Sequence, residues 1–351
     1  MKKITALAMV LILAFSMAIT VSADDTNDTP VASVALKKLY TVIGTTDTTV
    51  LPHETLKFDS TPATGNPTED NLTIANLVVS GTSGTMSITL PEYTKIGEYV
   101  YTVSESPAND QHAQGVTYAA DDITLTVLVS YDTDHNMVTQ LFLTQKVAGN
   151  GTQTSQIQVN GNQVAKVDTF VNTYEVGHMT VSKTVSGNLG SHDVEFDIDV
   201  TFTADKPVLS DITYADGNTT ATGTIAHSAD WKLTDDNKYT ATATISVKNG
   251  ETVTFRNIPK DVTYVVEEQA KHGVGNDGFD PNSDPDTDYT VTYTNKTGTI
   301  AANSTLNATV TNTKNTVVET GIALDSMPYV LILAAAVLGM AALLGKKRYE
   351  V

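Results

Sequence analysis

The chain has 351 residues, with 21 Lys and Arg against 40 Asp and Glu, a formal net charge of −19 and no cysteine. Such an acidic balance argues against a nucleic-acid-binding surface and favours solubility outside a cell. The lack of cysteine rules out disulfides, so an exported form of this chain would need a different covalent staple.

The amino end carries Lys2 and Lys3, an apolar run from Ile4 to Val21, and the small residues Val21, Ser22 and Ala23. This pattern predicts a secretory signal over residues 1–23, cleaved after Ala23, rather than a retained anchor. The length that remains suggests two domains.

From residue 24 onward the pattern is strand-like. Ile123, Leu125, Val127, Val129 and Tyr131 alternate mostly with Thr and Ser, and Thr240 to Val247 repeats the scheme. Clusters such as Pro62 to Pro67 and Asn276 to Asp288 mark loops. No sustained helical periodicity occurs in this region. The expected fold is all-β: two tandem Ig-like sandwiches over 24–175 and 176–315. The boundary falls near Glu175, Val176 and Gly177, and so short a linker predicts domains stacked end to end.

Three polar residues recur in the same order in both halves. Lys38 follows Val34 and Leu36, Glu105 follows Tyr99, Tyr101 and Val103, and Asn172 follows Phe170. In the second half Lys183 follows Met179 and Val181, Glu268 follows Tyr264 and Val266, and Asn312 follows Ala308 and Val310. Residues two apart on a strand share a face, so all six polar groups are expected to point into apolar cores. Lys37 competes with Lys38, and strand parity selects Lys38. The Lys-to-Asn separations are similar, 134 and 129 residues.

An ionised Lys or Glu is almost never buried without a partner. In a dry core the lysine tends toward the neutral amine and the glutamate toward the neutral acid. A neutral amine is a nucleophile, and a carboxyl beside it can polarise the Asn carbonyl and relay a proton to departing ammonia. The product would be an amide between the Lys and Asn side chains, made once per centre and without a cofactor. A buried ion-paired triad with no covalent step is the alternative. The duplication favours the bond.

The carboxyl end has an apolar run from Tyr329 to Gly345, closed by Lys346, Lys347 and Arg348. It is expected to span a membrane at the short limit of length, with the basic tail cytoplasmic.

These motifs, MTVSKTVSG from Met179, YVVEE from Tyr264 and VETG from Val318, resemble the two-domain backbone pilins of Gram-positive bacteria. The resemblance spans nearly the whole chain. It implies CnaB-like domains with self-formed Lys–Asn isopeptide bonds, Lys38–Asn172 assisted by Glu105 and Lys183–Asn312 assisted by Glu268. It also implies that residues 316–351 hold a sortase sorting signal, Val317, Val318, Glu319, Thr320 and Gly321, cleaved after Thr320. This signal lacks the Leu and Pro of the common wall-anchoring pattern, which points to a dedicated pilus-class sortase. By the same resemblance Lys166 is the lysine that attacks the acyl-enzyme of the next subunit, although its distance to Asn172 is one residue shorter than the family pattern. Lys146 is the fallback. The implied partners are identical subunits in a covalent polymer at the cell surface, with minor pilins and a housekeeping sortase as further candidates. A monomeric wall-anchored adhesin or minor pilin is the rival.

Other chemistry finds little support. The acidic loop Asn276 to Asp288 has oxygen ligands for Ca²⁺ but lacks EF-hand spacing. The seven histidines show no HExxH spacing, so no metal site is expected. Phosphate-binding loops and nucleophile elbows are missing. Sequons such as Asn71-Leu-Thr and Asn303-Ser-Thr fit a Thr- and Asn-rich composition.

Overall fold

The alternation of β-branched and aromatic residues with Thr and Ser gives each strand one apolar face, and these faces close into two sandwiches. The computed structural model describes residues 33–47, 50–68, 71–79, 81–108, 111–147, 151–157, 168–216, 222–269, 289–315 and 327–346. The predicted signal segment, the loop Asn276 to Asp288, Lys166 and the motif Val317 to Gly321 lie outside the described residues.

In the first sandwich, the strand Ser33–Ile43 pairs antiparallel with Ser83–Thr89 and parallel with the amino half of Thr169–Ser186. Facing it is a 6-stranded sheet that includes Gly97–Pro107, flanked by Thr55–Pro62 and Ile123–Tyr131. Leu36, Tyr99, Tyr101, Leu125, Phe170 and Tyr174 fill the space between. In the second sandwich, the carboxyl half of Thr169–Ser186 pairs parallel with Thr305–Thr313 and antiparallel with Thr252–Pro259. A 5-stranded sheet containing Phe196–Ala204 and Thr263–Glu268 covers it. Its core holds Val181, Val200, Phe202, Phe255, Val266 and Val310.

One 18-residue strand, Thr169–Ser186, therefore serves both sandwiches and joins them through a 10-stranded sheet. Where the sequence suggests a linker, the backbone stays extended. The inward-facing side nevertheless changes there. Even-numbered residues are buried from Phe170 to Val176, and odd-numbered ones from Gly177 to Val185. Pairing with Thr252–Pro259 shifts register between Gly177 and Met179, beside Asn257 at a left-handed φ of 62°.

Contacts across the junction are polar and close. Gln114 Nε2 donates to the Lys260 carbonyl at 2.7 Å, and the Lys206 N–H donates to Gln114 Oε1 at 3.2 Å. Lys260 pairs with Glu175 at 2.8 Å, and the Tyr174 and Ser210 hydroxyls share a short hydrogen bond. Gly44 sits against the Val176 carbonyl at a φ of 100°, and a Cβ there would lie 1.8 Å from that oxygen. Only glycine allows this approach.

The carboxyl-terminal helix runs Met327–Lys346, 20 residues, with exposed side chains from Tyr329 to Ala342. Among the described residues, no helix is long and apolar enough to cross a membrane.

Candidate functional sites

In each sandwich the Lys and the Asn stand on neighbouring parallel strands. Lys38 is level with Phe170 and Tyr40 with Asn172; Lys183 is level with Val310 and Val185 with Asn312. In both cases the lysine opposes the residue two before the asparagine. The glutamate comes from the facing sheet, Glu105 from Gly97–Pro107 and Glu268 from Thr263–Glu268. Strand parity aims all three side chains of each set into the same interior.

The second site is directly connected. Lys183 Nζ donates to Glu268 Oε2 at 2.5 Å, and Asn312 Nδ2 donates to Glu268 Oε1 at 2.7 Å. One carboxyl group thus touches both the amine and the carboxamide. Lys183 Nζ also lies 4.1 Å from the centre of the Phe196 ring, and Asn312 Oδ1 is buried without a hydrogen-bond partner. Burial pushes the Lys183 amine below its ordinary range, against the opposing pull of Glu268.

The first site is arranged differently. Lys38 Nζ lies 2.9 Å from Glu105 Oε2, and both side chains are essentially sealed from solvent. This is an ion-pair contact without hydrogen-bond alignment, and Glu105 Oε1 has no hydrogen-bond partner. Lys38 Nζ also approaches the Phe170 carbonyl at 3.4 Å and the Tyr40 ring at 5.0 Å. Burial lowers the Lys38 amine to about 8 even though Glu105 pulls it upward. About a tenth of it is then neutral at pH 7.

Asn172 bonds to other groups than Glu105. Its Oδ1 accepts the Ala119 N–H at 2.8 Å, and its Nδ2 donates to the Tyr40 hydroxyl at 3.3 Å. Tyr40 in turn donates to Glu54 Oε1, and Tyr118 donates to Glu54 Oε2 at 2.6 Å. Burial, the largest influence, raises the Glu54 carboxyl above its ordinary range.

Sequence reasoning missed Glu54, Tyr118 and Ala119. Tyr40 was visible on the same face as Lys38, but Glu54 precedes the strand Thr55–Pro62 and has no periodicity to mark it. Among the described residues, no cluster of three or more His, Asp or Glu is placed to hold a metal ion.

The molecule is thus an all-β pair of tandem sandwiches, each enclosing a Lys, a Glu and an Asn. Residues 34–175 match the model of the Spy0128-like isopeptide containing domain, and residues 177–314 match a domain family of unknown function. The two segments meet at Val176, where the shared strand changes its inward face. The chain is similar to the major pilin protein T3.2 from Streptococcus pyogenes, with 19% identity and a TM-score of 0.50 over 82% of this chain and 99% of that one. Another major pilin from Streptococcus pyogenes shares 18% identity with a TM-score of 0.48, over 82% of this chain and 100% of the other. No curated protein sequence matches. The fold is that of a Gram-positive backbone pilin.

Proposed function

We propose that this chain is a structural pilus shaft subunit whose two domains, 24–175 and 176–315, each weld Lys to Asn. One observation carries this reading: both Lys–Asn pairs sit in the same register on adjacent parallel strands, opposite a buried carboxyl group. In the second site the chemistry follows from the contacts. Neutral Lys183 attacks the Asn312 carbonyl carbon, giving its surplus proton to Glu268 Oε2. The carbon–Nδ2 bond then breaks, and Glu268 returns a proton to the departing group, which leaves as ammonia. A new Nζ–carbon amide remains, and the centre has no further turnover. Lys38 and Asn172 form the corresponding bond in the first site with Glu105.

Polymerisation through Thr320 and Lys166 rests on the family resemblance and on the geometry of load. Tension arriving at Lys166 passes along the shared strand to Lys183, and a Lys183–Asn312 bond carries it straight to the last strand. Transient anchoring before sortase cleavage rests on the apolar run Tyr329 to Gly345 and the basic residues Lys346, Lys347 and Arg348 that close it.

Intact mass is the decisive measurement. The chain is expected two ammonias light, and Glu105→Ala and Glu268→Ala should each restore one. A full theoretical mass for the unsubstituted chain would reject self-linkage. A high-mass ladder on denaturing gels, lost in Lys166→Ala, is expected for the shaft; a monomer alone would favour the adhesin.

A further inference from the structure

In the second site a single carboxyl group touches both reactants, whereas in the first Glu105 contacts Lys38 and the Asn172 nitrogen is held by Tyr40. Behind Tyr40 lies a second buried carboxyl group, Glu54, bonded to Tyr40 by one oxygen and to Tyr118 by the other. Tyr118 immediately precedes Ala119, whose N–H holds the Asn172 oxygen. Glu54 is therefore the hub that fixes both ends of the Asn172 carboxamide.

We propose that the first site divides between two acids the work that Glu268 does alone, with Glu54 acting through Tyr40 as the proton donor to the leaving group. The inference rests on the cross-link reading above. Lys38 Nζ bonds to the Asn172 carbonyl carbon and yields its surplus proton to Glu105. The developing oxyanion is met by the Ala119 N–H, already 2.8 Å from Oδ1. As Nδ2 loses conjugation with the carbonyl it becomes basic, the Tyr40 hydroxyl turns from Glu54 Oε1 to donate to it, and Nδ2 takes that proton. Glu54 reprotonates Tyr40, the carbon–Nδ2 bond breaks, and ammonia departs. Glu105 ends protonated and Glu54 ionised, so charge and atoms balance without any added reactant.

Burial keeps Glu54 a carboxylic acid to higher pH than an exposed glutamate, as this role requires. In the second domain Val185 stands at the register position of Tyr40, so no equivalent relay is available there.

The test follows newly synthesised full-length chain after a translation pulse. Proteolytic mapping quantifies separately the cross-linked peptides containing Lys38–Asn172 and Lys183–Asn312. Glu54→Gln and Tyr40→Phe are expected to slow the first bond by about a hundredfold, leaving the second at its normal rate as an internal control for folding. The pH profile separates chemistry from packing: the unsubstituted first site should show a limb of falling rate as rising pH ionises Glu54, and Glu54→Gln should lack that limb. Tyr118→Phe, which leaves the Tyr40–Glu54 contact in place, should slow the first bond and keep the limb. A first bond forming at full rate in Glu54→Gln would overturn the role of Glu54 alone. A slow first bond whose falling limb persists in Glu54→Gln would reduce Glu54 to a packing residue and overturn proton donation. Absence of the first bond from the unsubstituted chain would overturn the cross-link reading, and this role with it.

Discussion

Asn172 and Lys183 lie on one unbroken strand, yet each points into a different hydrophobic core. Their positions have opposite parity, so a regular strand would bury one and expose the other. The change of inward face at Val176 and Gly177 allows both to be buried. Each end of the strand thereby buries one member of a Lys, Glu and Asn set, and a single backbone segment joins the two domains.

The junction depends on Gly44. Gly44→Ala would place a methyl group on the Val176 carbonyl and force a left-handed conformation on a residue with a Cβ. A loss of about 2 kcal/mol is expected, with the coupling between domains weakened. Calorimetry should show one transition becoming two; an unchanged single transition would contradict this account of the interface.

Gln114 is the second clamp. Gln114→Ala removes the partners of the Lys260 carbonyl and the Lys206 N–H. Two groups left unsatisfied at a half-buried junction should cost about 1–3 kcal/mol, read from the midpoint of urea unfolding. Neither cross-link should change in yield.

Apart from the role proposed for it in bond formation, Glu268 holds a buried lysine. In Glu268→Ala the Lys183 amine stays in the core without its carboxylate, and about 3–5 kcal/mol of stability should be lost in addition to the cross-link. Glu268→Ala combined with Lys183→Met should recover most of that loss. Equal stability of the single and double variants, measured in denaturant, would argue against an uncompensated buried charge.

Lys38 supplies a pH signature. Its amine is held at about 8 in the folded chain against 10.5 for an ordinary lysine. Only the neutral amine attacks, so the first bond should form faster as pH rises toward 8. Linkage acts in the same direction on stability. Between about 8 and 10.5 the unfolded chain binds the proton that the folded chain has released, so an Asn172→Ala variant should gain up to about 3 kcal/mol as pH rises across that window. Chemical denaturation at several pH values checks the sign, with Asn172→Ala/Lys38→Met as the flat reference.

Period-two alternation in the sequence was enough to read two β-sandwiches and to turn Lys38, Glu105, Asn172, Lys183, Glu268 and Asn312 inward, because a strand's face is set by the parity of its own residues. Those signals are local and survive without knowledge of neighbours. The sequence could not disclose that Glu175 to Gly177 is part of a continuous strand, since a switch of inward face reads as a break in pattern. Nor could it disclose Glu54, which is linked to Asn172 only through Tyr40, itself 132 positions from that asparagine. Which carboxyl group touches which amide is a matter of sheet-to-sheet packing, and packing distance leaves no period in a chain.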